Sequence, residues 1–75
     1  MFKPSSMDWA RIVGANIRRH RLAKKMSQED LAGEAGIAMR HLGRVERAEV
    51  SPTVETLAKL ATALHLQPAD FFSVS

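Results

Sequence analysis

The sequence contains neither cysteine nor tyrosine, and its histidines, His20, His41 and His65, stand far apart. The absence of cysteine excludes both a disulfide framework and a thiolate zinc site, and it makes a reducing compartment the natural setting. The histidines have no partners at metal-ligand spacing. We therefore expect no bound metal and no cofactor.

Long apolar runs are also missing. No stretch is long enough to span a bilayer, and residues 1–6 lack the apolar segment of a signal peptide. We therefore expect a cytoplasmic protein without a membrane partner. No combination of serine, histidine and acid suggests a nucleophile, and Glu29, Asp30 and Glu34 lie near a predicted helix start, where acids favour the dipole. An enzyme is therefore not expected.

The chain is short and its basic residues are concentrated at the front. Its 75 residues form one compact domain at most, so dimerisation would add stability, and we expect no small-molecule ligand.

Residues 1–25 contain seven basic residues and one acid, whereas residues 48–75 contain one lysine and three acids. The basic end suits a polyanion, although a solvated helix surface explains the charge equally well.

Alanine, leucine, arginine and glutamate are abundant and no strand-like alternation occurs, so the composition favours an all-α fold. Residues 1–7 are expected to form a flexible arm, and residues 8–75 the folded domain. Apolar periodicity and capping signals predict five helices, which start near residues 8, 27, 38, 51 and 67 and end near residues 25, 36, 47, 64 and 72.

Two helix starts carry specific signals. Ser27 is a good N-cap, and Asp30 at the third helical position can return the hydrogen bond as in a capping box. Ser51 followed by Pro52 predicts the start of the fourth helix, because proline at the first helical position loses no needed hydrogen bond. The predicted inward-facing residues of the first and fourth helices are Trp9, Val13, Ile17, Leu57, Leu60, Ala61 and Leu64.

Residues 28–47 meet the steric demands of two helices that cross at a sharp turn. Such a turn needs inward aliphatic residues, a small residue at the crossing, a glycine that accepts positive φ and an aliphatic plug at the junction. The residues that fill these positions are Leu31, Ala32, Ala35, Gly36, Ile37, Leu42 and Val45. The spacing therefore predicts a helix-turn-helix.

With this motif, the sequence resembles the lambda-type phage repressor and Cro family, also called the xenobiotic-response-element family. The resemblance covers residues 13–72 and is most specific in SQEDLAGEAG (27–36) and SPTVETLAKLATAL (51–64). Restriction-modification controller proteins look similar. The resemblance implies a compact five-helix, lambda-repressor-like domain that binds double-stranded DNA as a homodimeric transcriptional regulator, with the helix after Ile37 in the major groove.

The resemblance also implies which residues contact DNA. Arginine can pair with guanine and methionine can touch a thymine methyl, and the loop between the third and fourth helices contacts the backbone. Gln28 matches a family glutamine that contacts a phosphate or an outer base, and His41 can reach a phosphate or a base. The expected DNA-binding residues are Ser27, Gln28, Met39, Arg40, His41, Arg44, Arg47, Ser51 and Thr53. Arg21 and Glu46 match a family pair that orients the recognition helix, so we expect an ion pair between them.

Four positions depart from the family pattern or carry a local cost. Ala48 and His65 stand where glycine usually ends a helix, so both carry a modest cost if their φ is positive. Gly43 lies within the recognition helix, where it weakens the helix and would permit close approach to DNA. Glu49 places a negative charge in a loop that should face phosphate.

The C-terminal end is apolar for so short a chain, and exposed apolar patches usually mark an interface. The residues expected to form a homodimer interface are Leu66, Phe71, Phe72 and Val74. An alternative interpretation keeps the fold but makes it a protein-interaction module, an antitoxin or adaptor, that binds its partner through this end.

Overall fold

The computed structural model describes residues 5–74, which form four α-helices and one 3-10 helix and contain no strand. The helices are α1 (Ser6–Ala23), α2 (Gln28–Ala35), α3 (Met39–Glu46) and α4 (Val54–Ala63), and the 3-10 helix spans Pro68–Phe72. The all-α prediction is confirmed. The predicted fifth α-helix is instead the 3-10 helix, because five residues offer too few i to i+4 hydrogen bonds for a stable α-helix.

Helix α1 begins two residues earlier than predicted because Ser5 caps it. The Ser5 hydroxyl accepts a hydrogen bond of 3.2 Å from the Asp8 amide, and the Asp8 carboxylate accepts one of 3.1 Å from the Ser5 amide. This reciprocal pair is a second capping box, and it places Ser6 inside the helix. The expected arm of residues 1–7 therefore overlaps the helix, and residues 1–4 lie outside the described residues.

The start of α4 also differs from the prediction. Thr53, rather than Ser51, is the N-cap, and its hydroxyl accepts a 3.1 Å hydrogen bond from the Thr56 amide. Pro52 therefore precedes the cap, where its ring restricts Ser51 to extended backbone. The Thr53 hydroxyl, two residues after Ser51, satisfies the Thr56 amide in the first turn of α4 and so decides where the helix begins.

The helices enclose one hydrophobic core. The predicted aliphatic residues of α2, α3 and α4 are buried in it, and Ile37 is half-buried against it. Phe71 is fully buried there as well, so it cannot form the dimer interface for which it was predicted. The buried core residues are Val13, Ile17, Leu31, Ala32, Ala35, Leu42, Val45, Leu57, Leu60, Ala61, Leu64 and Phe71.

Helix α1 crosses the C-terminal end of α3 at Gly14. A Cβ atom at this position would lie 2.5 Å from the Val45 carbonyl oxygen and 2.9 Å from that of Glu46. Both obstacles are backbone atoms and cannot rotate away. Gly14 therefore sets how closely the first helix approaches the last turn of α3.

Three helices end on a residue other than glycine with positive φ. Ala48 and His65, which replace the family's glycines, have φ values of 60° and 58°, and Lys25 has a φ of 58°. In each case the next amide donates to a carbonyl five residues back, for example Glu49 to Arg44 at 2.9 Å. This closure satisfies carbonyls that the end of a helix would otherwise leave unpaired.

Candidate nucleic-acid interface

Helix α3 is divided into a buried side and an exposed side. Leu42, Gly43 and Val45 are buried, whereas Met39, Arg40 and Arg44 are exposed and His41 is half-buried. Met39 is 51% exposed, although it is a large apolar residue. The predicted recognition residues thus share the side of α3 that faces away from the core.

The preceding turn holds α3 in place through local contacts. Gly36 adopts φ 73° at the end of α2, and the Ile37 amide donates a 3.0 Å hydrogen bond to the Ala32 carbonyl. Ala32 is 2% exposed, so a larger side chain would separate the two helices. The helix-turn-helix predicted from this spacing is present.

A buried ion pair joins α1 to the end of α3. Arg21 Nε donates to Glu46 Oε2 at 2.7 Å and Arg21 Nη2 donates to Oε1 at 2.9 Å, while Nη1 donates to the Met26 carbonyl at 2.9 Å. The two side chains are only 8% and 2% exposed. The hydrogen bond to Glu46 holds the charged form and raises the pKa of Arg21 above its ordinary value, although burial opposes it.

Gln28 is tied to the same carboxylate. Its Nε2 donates a 3.1 Å hydrogen bond to Glu46 Oε1, and the side chain is half-buried. Glu46 therefore accepts from α1 and from the first residue of α2, so one carboxylate links three helices. Gly43 is buried beside this contact, where a Cβ atom would lie 2.9 Å from Arg47 Nη1 and 3.6 Å from Gln28 Oε1. A Cβ atom at Gly43 would therefore meet only side-chain atoms, and the close one is the flexible end of Arg47.

Two of the predicted contact residues cap helices. The Ser27 hydroxyl accepts a 2.9 Å hydrogen bond from the Asp30 amide, and the Asp30 carboxylate accepts a 3.0 Å bond from the Ser27 amide, which confirms the predicted capping box. The hydrogen bond from the Ser27 amide to the carboxylate is the largest cause that lowers the pKa of Asp30. Thr53 caps α4 through its hydroxyl alone, without a reciprocal bond, and Ser51 is exposed in the segment before it.

An acid lies among the arginines of this surface. Arg47 Nε donates to Glu49 Oε2 at 2.7 Å, and the other oxygen, Oε1, lies 3.9 Å from Arg44 Nε. All three side chains are about half exposed. The hydrogen bond between Arg47 and Glu49 raises the pKa of Arg47 and lowers that of Glu49.

An apolar surface lies near the C-terminus. Phe72 meets Trp9 edge to face, with ring centroids 5.6 Å apart, and both rings border an open cavity of about 240 Å³ together with Pro52 and Leu57. Val54 and Val74 are 83% and 55% exposed. We call the residues Trp9, Pro52, Phe72 and Val74 the apolar C-terminal surface. Leu66 is half-buried and packs against the core.

Asn16 attaches the 3-10 helix to α1. Its Nδ2 donates to the carbonyls of Phe71 at 2.8 Å and Ser73 at 2.9 Å, and its Oδ1 accepts from Arg19 Nη2 at 3.2 Å. Sequence reasoning missed both Asn16 and Gly14. Each is a polar or small residue beside the apolar stripe of α1, next to Ile17 and Val13, and that placement was the available signal.

No helix within residues 5–74 combines the length and the apolar character needed to cross a membrane.

Comparisons with known proteins agree with this geometry. The chain matches the Helix-turn-helix family over residues 17–71. It is 40% identical over 58 residues to the HTH-type transcriptional regulator y4dJ of Sinorhizobium fredii, which covers 77% of this chain and 75% of the relative. It is 41% identical over 59 residues to the control protein C.SmaI of Serratia marcescens, which covers 79% of this chain and 70% of the relative.

A solved structure extends the likeness to the fold. The restriction-modification controller protein C.AhdI of Aeromonas hydrophila superposes with a TM-score of 0.82 at 36% identity, over 84% of this chain and 96% of that one. The family match and the relatives therefore agree with the motif built from Ala32, Gly36 and Ile37. This chain belongs to the helix-turn-helix family and is a DNA-binding transcriptional regulator.

Proposed function

We propose that this protein places α3 in the major groove of a specific double-stranded DNA site, as a cytoplasmic homodimer that acts as a repressor or autoregulator. The exposed side of α3 is the observation that best supports this function. Met39, Arg40 and Arg44 project there, opposite the buried Leu42 and Val45. A helix with this division can be held firmly by the protein while its other side reads base edges.

The exposed residues of α3 have complementary chemistry for sequence reading. Arg40 and Arg44 supply guanidinium groups that can donate two parallel hydrogen bonds to guanine, and Met39 supplies an apolar contact for a thymine methyl. His41 lies half-buried beside them and reaches a base or a phosphate. We assign base reading to Met39, Arg40 and Arg44, and a contact with a base or a phosphate to His41.

The flanking residues supply phosphate contacts that position the protein without reading sequence. Ser27 and Gln28 stand at the N-terminus of α2, where the helix dipole favours an anion. In this assignment, Gln28 donates the second hydrogen of Nε2 to the phosphate, because Glu46 accepts the first and Oε1 cannot donate. The residues that we assign to phosphate are Ser27, Gln28, Arg47, Ser51 and Thr53.

We further propose that two copies pair through the apolar C-terminal surface. Phe72 and Val74 remain from the predicted interface, Leu66 contributes its exposed edge, and Trp9 extends the patch. A two-fold axis there would present two α3 helices to successive major grooves, with half-sites about 34 Å apart. Such a dimer fits a pseudo-palindromic operator.

The relatives suggest where to look for regulated genes. C.SmaI is a control protein and C.AhdI is a restriction-modification controller. Genes of a restriction-modification system, and the promoter of this protein's own gene, are therefore the first candidates for binding.

Selection of bound fragments from random double-stranded DNA tests this function. The expected result is a two-fold related consensus, bound with an affinity that falls steeply as salt rises. Sequence-blind binding without a consensus would contradict the proposal and would favour the interaction module, in which the apolar C-terminal surface holds a different protein. Sedimentation of the protein alone and with its selected site separates these outcomes.

A further inference from the structure

The Glu49 carboxylate accepts hydrogen bonds from Arg47, a residue that we assign to a DNA phosphate. Its two carboxylate oxygens approach Arg47 Nε at 2.7 Å and Arg47 Nη2 at 3.5 Å, and one of them lies 3.9 Å from Arg44. A carboxylate bound to the edge of a guanidinium uses the same N–H groups that bind a phosphate. DNA and Glu49 therefore compete for the same donors.

The backbone at the end of α3 positions Glu49 close to the two arginines. Ala48 adopts positive φ, and the Glu49 amide then donates a 2.9 Å hydrogen bond to the Arg44 carbonyl. The end of α3 thus turns Glu49 back toward the last turn of the helix. This bond fixes the backbone of Glu49, and the half-exposed side chain then meets the two arginines.

This contact has little value for folding. The side chains of Arg44, Arg47 and Glu49 are 50%, 57% and 48% exposed, and exposed ion pairs contribute little to stability. In the proposed DNA complex, however, Glu49 would stand against the phosphate backbone, where a negative charge is repelled. Its main energetic effect therefore falls on binding.

We propose that Glu49 is a specificity-determining residue that competes with DNA phosphates for Arg47 and Arg44 and thereby suppresses binding to arbitrary DNA. This inference rests on the proposed function. Non-specific binding depends on charge, so an acid that occupies two arginines weakens it directly. At the operator, Arg44 gives up its contact with Glu49 but gains hydrogen bonds to a base edge, which offset that loss. Arbitrary DNA does not offer this gain.

The test compares wild type, Glu49→Gln and Glu34→Gln on random DNA and on the selected operator across a salt series. Glu34 is an exposed acid on α2 that lies beside Lys59 and His65, so its variant makes the same change of net charge elsewhere. We expect Glu49→Gln to bind random DNA about two- to fivefold more tightly, the range that one exposed ion pair spans. The salt dependence should steepen by about 0.9, the slope of one additional phosphate contact, while the operator gains less.

A double variant tests whether Glu49 acts through Arg47. In an Arg47→Gln background, the gain from Glu49→Gln should shrink, because its main partner is already absent. Thermal unfolding of each variant establishes that the fold is retained. Weaker binding by Glu49→Gln would overturn the proposal, since it would mean that Glu49 aims Arg47 at the DNA. Equal behaviour of Glu49→Gln and Glu34→Gln would also overturn it.

DNA binding by wild type distinguishes a failure of the proposed function from a failure of the role of Glu49. If wild type shows no salt-dependent binding to double-stranded DNA, the proposed function fails and the role of Glu49 fails with it. If wild type binds its operator but Glu49→Gln changes neither affinity nor salt slope, only the role of Glu49 is wrong.

Discussion

Asn16 and Phe71 are joined across 55 residues of sequence by a 2.8 Å hydrogen bond from the Asn16 side chain to the Phe71 carbonyl. Asn16 is 9% exposed, so the bond lies at the edge of the core. With the second bond to Ser73, it fixes the short 3-10 helix against α1. It thereby buries the ring of Phe71 while leaving that of Phe72 beside Trp9.

Replacing Asn16 should loosen this attachment. Asn16→Ala leaves the Phe71 carbonyl without its partner, and we expect a loss of about 1–3 kcal/mol in the free energy of unfolding. Urea denaturation measures the change. Arg19→Ala is the control, because it removes exposed contacts of Arg19 with the Asn16 side-chain oxygen at 3.2 Å and with His20 Nε2 at 3.4 Å but leaves both carbonyl bonds of Asn16 in place. Equal effects of both variants would show that the carbonyl contacts are unimportant.

The ion pair between Arg21 and Glu46 should be costly to break singly. Arg21→Ala leaves a carboxylate that is 2% exposed without its main partner, with an expected loss of about 3–5 kcal/mol. The operator affinity should fall as well, since Glu46 ends α3. A double replacement by methionine removes both charges and should recover much of the stability. An unchanged melting temperature in Arg21→Ala would disprove the structural role of the pair.

Gly14 and Gly33 offer a matched pair of glycine substitutions. Gly14→Ala forces a Cβ atom against two backbone carbonyls, with an expected loss of about 1–3 kcal/mol or more. Gly33→Ala meets nothing within 4 Å and lies inside α2, so it should gain about 0.5–1 kcal/mol. Thermal and urea unfolding compare the two. A loss of stability in both would mean that the close approach at Gly14 is not the cause.

Arg44 and Lys25 should differ in how they affect DNA recognition. Arg44→Ala should relax the preference at one base pair by about 1–3 kcal/mol, because its guanidinium reads a base edge in the proposed complex. Lys25 is exposed after α1, and Lys25→Ala should weaken operator and random DNA alike. Binding to a set of single-base operator variants makes the comparison. Parallel losses on operator and random DNA for both changes would refute this division of roles.

The proposed dimer predicts that charge on the apolar C-terminal surface should separate the subunits. Val74→Asp places a carboxylate at a residue that is 55% exposed, so the fold should be retained while the dimer dissociates. Sedimentation equilibrium measures the shift toward monomer. Leu22→Asp is the control, since Leu22 is an exposed apolar residue on α1 that lies near Arg18 and Arg19. Dissociation by Leu22→Asp but not by Val74→Asp would place the interface elsewhere.

The sequence by itself determined the features that depend on near neighbours. The capping box of Ser27 and Asp30 joins residues three positions apart, and Gly36 supplies the positive φ that the turn requires. The apolar stripe of α4 follows from the helical period alone. The family pattern also identified Ala48 and His65 as helix ends, because a glycine position keeps its backbone conformation when another residue occupies it. These features led to the helix-turn-helix and hence to DNA binding.

Only the tertiary structure decided the features that join distant elements. Adjacent residues in a 3-10 helix point about 120° apart, so Phe71 and Phe72 face different surroundings, and the packing of this helix against α1, which includes the bond from Asn16, buries Phe71. The approach of Gly14 to α3 and the shared use of Glu46 by Arg21 and Gln28 likewise depend on helix crossings. Local periodicity fixes which side of a helix is apolar. The distance and angle at which two helices meet depend on the packing of all of them.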